Sequence, residues 1–276
     1  MNPIHFVELA SLGVLACFVA LEARTAGGRE SLPLGLLLMA AAWLGEDTCI
    51  RLYGFYEYSS DWHFTLDKMP PMVALIWPFV IVSDRRVMQG VLGAQSRHVP
   101  WATGLLVIYD AALMEPIAVQ AGLWRWSEPG IFGVPVIGIL GWGYFAATAL
   151  WLWSKLQGAA RVWLVLLAPL GTHALLLLSW WGLLRWVLRA PVEPETLQLG
   201  SLLVALALSV GVWRARVRIT WEVMGLRVLA AGVFGALLFM YGRDAGSLQL
   251  YLLPFVLPYL LACDWKALWS WTARNC

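Results

Sequence analysis

Polar residues are confined to short breaks between long apolar runs. Nine such runs cover residues 4–23, 32–50, 70–83 (continuing toward 92), 101–119, 133–153, 161–184, 197–213, 223–241 and 247–263. A helix needs roughly 20 apolar residues to cross the hydrocarbon of a bilayer, so each run is read as a membrane span. The third is the weakest. Its dense apolar part is short, and Pro70, Pro71 and Pro78 are expected to kink it, which a membrane helix tolerates when neighbours satisfy the freed carbonyls. The predicted fold class is all-α: a polytopic transmembrane helix bundle of about nine spans, eight if the third is dropped, with no soluble domain. Residues 1–276 read as a single integral membrane domain.

Composition agrees. The chain is 61% hydrophobic and 13% charged, about half the charge of a soluble domain, so lipid rather than charge must cover the surface. A net charge of +2 with basic residues scattered among loops gives a nucleic-acid partner no support. With the N-terminus outside, Lys and Arg favour the cytoplasmic loops by about two to one, as the positive-inside rule requires. An eight-span reading puts the Arg85–Arg97 and Arg214–Arg218 clusters on opposite sides. A multi-pass plasma (inner) membrane protein with a cytoplasmic C-terminus is expected. The first run lacks a basic n-region and a small-residue cleavage site, so it reads as a retained helix. Residues 265–276, rich in Trp, read as an interfacial tail. Cys17, Cys49, Cys263 and Cys276 have no CxxC spacing, and neither a disulfide nor a metal site is expected. No internal repeat of broken helices points to a secondary transporter.

Against this apolar background a few polar residues stand out. Glu46 and Asp47 fall near one end of the second span, Asp110 near the middle of the fourth, and Glu115 nearer its end, on the same side as Glu46. Asp244 follows the eighth span on that side. Buried carboxylates in membranes are costly and mark functional sites by default, so these acids are expected to share one pocket. The alternatives are snorkelling to water or pairing with Arg51, Arg125 or Arg243. His173, amid leucines in the sixth span, reads first as a hydrogen bond between helices and second as a proton-sharing partner. The other histidines lie in unrelated segments, which argues against a metal. Tyr53, Tyr56 and Tyr58 follow Glu46, and Trp124, Trp126 and Trp142 follow Glu115. They could be an interfacial belt or line a groove for a long apolar ligand.

The block EPIAVQAGLWRWSEPGIFGVPVIGILGW resembles the signature of a membrane family of carotenoid biosynthesis proteins, which includes the bacterioruberin-pathway and γ-carotene 1′-hydratases. The matching residues are Glu115, Pro116, Gly122, Trp124, Trp126, Gly130, Phe132, Gly133, Val134, Pro135, Gly141 and Trp142. An upstream acid followed by a Gly- and Tyr-rich loop matches Glu46 with Tyr53, Gly54, Tyr56 and Tyr58. The family-like core covers about residues 40–150. Two places depart from the pattern. Gly138-Ile139 stand where the family commonly has Asn-Phe, removing an amide that could orient water or substrate, and Ser59–His63 is unlike the usual loop.

The resemblance implies cofactor-free chemistry on an isoprenoid alkene: protonation of a terminal double bond of a carotenoid, then hydration of the tertiary carbocation. Such chemistry needs an acid kept protonated by burial, aromatic faces to stabilise the cation, and a quencher. Asp110 or Glu115 is the expected proton donor, and Glu46 or Asp47 the group that positions water or shares the proton. Trp124, Trp126, Tyr53 and Tyr56 would form the cation-facing wall, with Phe132, Trp142 and His173 as further substrate-binding candidates. Gly122, Gly130, Gly133 and Pro135 would shape the loop. Partners are a long apolar isoprenoid and membrane lipid, with no cofactor. A membrane terpene or carotenoid cyclase using the same protonation, and a transporter or lipophile-binding protein, remain alternatives.

Overall fold

A computed structural model describes residues 2–24, 27–128, 130–189, 193–241 and 246–264. Asp244 and the tail at 265–276 lie outside them. Helix α1 spans Pro3–Ala23, its first turn fixed by Pro3 and by the Asn2 side chain, which accepts from the Ile4 N–H at 2.9 Å. Helix α2 (Gly28–Tyr53) ends where Gly54 adopts φ 61°, the left-handed cap that glycine supplies without steric cost. A short turn α3 (Pro71–Ala74) precedes α4 (Trp77–Leu92). Then come α5 (Val99–Gln120), α6 (Val136–Lys155), α7 (Leu164–Leu176), α8 (Pro194–Ala215), α9 (Trp221–Tyr241) and α10 (Gly246–Ala262). A 3₁₀ turn leads into α7, and a π-helical stretch (Leu177–Val187) continues it, giving one apolar rod over Gly158–Val187.

Seven described helices are long and apolar enough to cross a membrane. α4 and α10, with 16 and 17 residues, are shorter. At 1.5 Å per residue they reach only about 25 Å, just under the ~30 Å of hydrocarbon. The architecture is the helical membrane bundle expected. The third run differs in detail. It breaks around Leu75-Ile76 instead of kinking in mid-helix, and Pro71 and Pro78 occupy the first turns of α3 and α4. There a missing N–H costs nothing.

The tightest helix pair is α5 with α6. Gly104 and Gly143 face each other across it: a Cβ on Gly104 would lie 2.7 Å from the Gly143 carbonyl oxygen, and one on Gly143 would lie 2.5 Å from that of Gly104. Small residues let backbones approach where lipid supplies no hydrophobic drive. α7 packs on both α6 and α2, so α2, α5, α6 and α7 form one group.

One element lies outside the all-α reading. Tyr56–Tyr58 (β1) and Trp124–Trp126 (β2) pair antiparallel as a short ribbon joining the loops after α2 and α5. Its register is Tyr56 opposite Trp126, Glu57 opposite Arg125 and Tyr58 opposite Trp124. Alternate residues of a strand face opposite sides, so the four aromatics turn toward the bundle while Glu57 and Arg125 pair on the exposed side. The Ser127 N–H donates to the Phe55 carbonyl at 2.8 Å and the Trp62 indole to the Leu123 carbonyl at 3.1 Å, securing the ribbon.

A caged pair of carboxylates as the candidate site

Beneath the ribbon lies a cavity walled by α2, α3, α4, α5, α6, α7 and the ribbon itself. Glu46 and Glu115 both line it. The Glu115 carboxylate accepts three indole N–H bonds, from Trp142 at 2.7 Å, Trp124 at 2.9 Å and Trp126 at 3.1 Å. Glu46 accepts from the Trp77 indole at 2.6 Å, from the Tyr56 hydroxyl at 3.0 Å and from the Tyr58 hydroxyl. Trp77 and Trp142 stack with ring centroids 4.2 Å apart, joining the two cages. Among the described residues no Lys or Arg lines the cavity. Apart from Cys49, Thr172 and His173, the rest of its lining is aromatic and aliphatic, the form of a site for an apolar ligand with a few aimed polar groups.

The two cages differ chemically. An indole N–H only donates, whereas a phenol hydroxyl donates or accepts. Glu115 is therefore surrounded by donor-only partners, and Glu46 by one donor-only partner and two amphoteric hydroxyls. Burial pushes Tyr56 and Tyr58 well above the ordinary phenol range, so both remain O–H groups.

His173 of α7 lines the same cavity. Its Nε2 lies 2.9 Å from the Thr48 hydroxyl of α2, the link between helices that the sequence suggested. The Thr48 hydroxyl donates to the Leu44 carbonyl at 2.6 Å, so it accepts from His173. That assigns the proton to Nε2 and leaves Nδ1 a lone-pair acceptor. Among the described residues, Nδ1 is buried and has no hydrogen-bond partner. Tyr53 does not line the cavity. It stacks on Phe55 at 4.8 Å and packs on the His173 ring from behind.

Two expected members of the site lie elsewhere. Asp110 faces a second cavity with Arg227 of α9 and Tyr259 of α10, and bonds to both. Arg227 also pairs with Asp84 of α4. A single pocket holding Glu46, Glu115 and Asp110 is thus corrected to two. The residues at 110 and 115 are five apart, which at 3.6 residues per turn points them in different directions. Asp47 is turned away from Glu46: it accepts from the Lys68 backbone N–H at 2.9 Å and from Arg51 at 3.1 Å, tying the loop before α3 to α2. Phe132 packs on Tyr251 of α10 at 5.2 Å and does not line the cavity.

The loop between ribbon and α6 is a tight turn. Ile131 and Val134 exchange backbone bonds, and Phe132 and Gly133 carry φ of 50° and 86°. Gly122 has φ 75°, and Pro135 precedes the first turn of α6. At Gly130 a Cβ would lie 2.0 Å from the Val134 carbonyl oxygen. Gly138, one of the departures from the family pattern, has a visible consequence: a Cβ there would lie 2.5 Å from Cζ2 of Trp126. The space a larger residue would take is filled by the indole that donates to Glu115.

Sequence reasoning missed Trp77 as a ligand of Glu46, and it missed Asp84, Arg227 and Tyr259. An arginine within the apolar run 223–241 was the available signal. His5 and His63, read as unrelated, meet with ring centroids 4.1 Å apart, and His63 also bonds Glu8.

A bundle of apolar helices around two indole- and phenol-bound carboxylates defines a class: membrane proteins with an enclosed polar pair facing an apolar cavity. The profile of the family described as "Carotenoid biosynthesis protein" matches residues 5–181, well over half of the chain, and the chain belongs to that family. The match contains both cages and His173, and extends beyond the 40–150 core read from motifs. No curated protein and no solved structure matches the chain.

Proposed function

We propose that this protein hydrates a terminal double bond of an isoprenoid or carotenoid chain by protonation, without a cofactor. The observation that carries this reading is the pair of carboxylates in one apolar, aromatic cavity with no Lys or Arg among its described lining residues. Two like charges so enclosed are costly unless one is neutralised by a proton. The differing cages argue for which one. Three donor-only indoles favour the anion at Glu115, while Glu46, beside two hydroxyls that also accept, suits the neutral acid.

In this reading Glu46 gives its proton to the less substituted alkene carbon, and the π electrons become the new C–H bond. The tertiary carbocation faces the indoles of Trp124, Trp126 and Trp142, each worth about 0.5–2 kcal/mol to a nearby cation, and the Glu115 carboxylate. Water accepted by His173 Nδ1 attacks the cation. The proton released from the new C–OH₂⁺ group restores Glu46 directly or through His173 and the Tyr56 and Tyr58 hydroxyls, so the net change is addition of one water. Glu46 replaces Asp110 as the leading donor because Asp110 is held by Arg227 and Tyr259 in the other cavity.

The test is the amide pair. Glu46→Gln removes the transferable proton, and turnover should fall by the ~10²–10⁴-fold typical of lost general acid catalysis. Glu115→Gln should lower turnover less while the protein still protonates its substrate. Equal activity of both variants and the native protein would overturn the reading. A cyclase would use the same acid, and a product with a ring and no added oxygen would identify it.

A further inference from the structure

The reacting end of a long isoprenoid needs only the caged cavity, which leaves the rest of the chain to be housed. Two more cavities connect to it in series through shared lining residues. One is a small space that shares Val73, Trp124 and Trp142 with the carboxylate cavity and is apolar apart from Ser11. The next is the one holding Asp110 and Arg227, and it shares Phe79, Met114, Ala230 and Phe234 with the middle cavity. Neighbouring spaces are thus bordered by the same residues, and one of these, Met114, is the type that repacks most readily.

The far cavity is not built for a charged ligand. Its polar groups satisfy one another, with Arg227 bonded to Asp110 and to Tyr259 and the Tyr259 hydroxyl bonded to Asp110. The remaining lining is apolar except for Ser83, whose hydroxyl donates to the Val80 carbonyl. At its margin Val228 of α9 and Val256 and Leu260 of α10 are 49%, 42% and 47% exposed, on helix surfaces that face lipid in a membrane bundle. The space therefore opens sideways, between α9 and α10.

We propose that the three cavities are one bent passage through the bundle, opening to lipid between α9 and α10, that takes the apolar body of a long isoprenoid whose end reaches the Glu46–Glu115 pair. This rests on the proposed function for the identity of the reacting end, but the passage itself is tested by binding alone. It makes the protein a selector for chain length: the far cavity and the neck at Ala230 contribute only when the ligand is long enough to fill them.

The probe is quenching of tryptophan emission by polyenes, measured on the detergent-solubilised full chain. A forty-carbon acyclic carotenoid and a short conjugated terpenoid are titrated into the native protein and into Ala230→Phe, which fills the neck between the middle and far cavities. The expected result is at least a tenfold weaker affinity for the long polyene in Ala230→Phe, with the short ligand bound as by the native protein. Retained short-ligand binding also reports a folded chain, and Ala230→Leu, a smaller plug, should fall between. A saturated lipid of matching length should fail to displace the long polyene. Unchanged long-polyene affinity in Ala230→Phe, or equal loss for both lengths, would overturn the passage. Displacement by the saturated lipid would make it a general lipid groove. None of these results depends on turnover, so a failure of the hydration reading would appear separately, as binding without product.

Discussion

The indoles of Trp77 and Trp142 stack 4.2 Å apart, and each donates its N–H to a different carboxylate, Trp77 to Glu46 and Trp142 to Glu115. The stack links α4 to α6 and sets the two acids on either side of one aromatic unit. Trp142→Phe keeps most of the stack and removes one donor from Glu115. A hydrogen bond to a charged group is worth about 1.5–3 kcal/mol, so turnover should fall about tenfold to a hundredfold with little change in thermal stability. Kinetics and a melting curve of the same preparation check this. Loss of folding with no separable kinetic effect would make the stack a structural element only.

Gly138 gives a second handle on the same cage. Its missing Cβ is the space that Trp126 fills, and Gly138→Ala should displace that indole from Glu115 at an overpacking cost of about 1–3 kcal/mol. The effect should vanish when Trp126 is already Leu. A double-mutant cycle on stability and turnover measures the coupling. Additive effects would mean that the two positions act independently.

The ion cluster is expected to behave as a structural anchor. Arg227→Met leaves Asp84 and Asp110 buried without their shared cation, and loss of one partner of a buried pair costs about 3–5 kcal/mol. Asp110→Asn retains a group that accepts from Tyr259 and should leave turnover far less affected than Glu46→Gln. Thermal unfolding and product formation, compared across the three variants, decide. Turnover lost in Asp110→Asn with the fold intact would return Asp110 to the catalytic role.

Much of this was legible in the sequence and some was not, for identifiable reasons. Hydropathy located the long described helices because a span of about 20 residues is a long, redundant signal, but it ran α3 and α4 together as one span. Glu46 and Glu115 could be picked out as costly acids, but hydropathy carries no rotational phase, so Asp110 was grouped with them although it faces another cavity. The ribbon was readable in retrospect. Tyr56, Glu57 and Tyr58, and Trp124, Arg125 and Trp126, each alternate aromatic and charged residues with the period of a strand. Three-residue strands between long helices are too short for periodicity to register. Trp77 went unassigned because the partner of an indole 31 residues away in sequence is fixed only by packing.

The charge bias of the loops supports an orientation with the Arg-rich end of the bundle in the cytoplasm. Gln95 lies in the loop between α4 and α5, at the end opposite the ribbon, and Asp61 lies in the loop beside it; both are exposed. Gln95→Cys should react with an impermeant thiol reagent only in inverted vesicles, and Asp61→Cys only in intact cells. The reverse pattern would invert the orientation.

In the proposed reaction Glu46 starts the addition of water to an isoprenoid alkene in the caged cavity. Purified protein incubated with an acyclic carotenoid in ¹⁸O-labelled heavy water tests it most directly. The expected product carries one labelled oxygen on the tertiary carbon and one deuterium on its neighbour, and is formed by the native protein and by Asp110→Asn but lost in folded Glu46→Gln. A product with deuterium but no labelled oxygen, or undiminished labelling in Glu46→Gln, would contradict it.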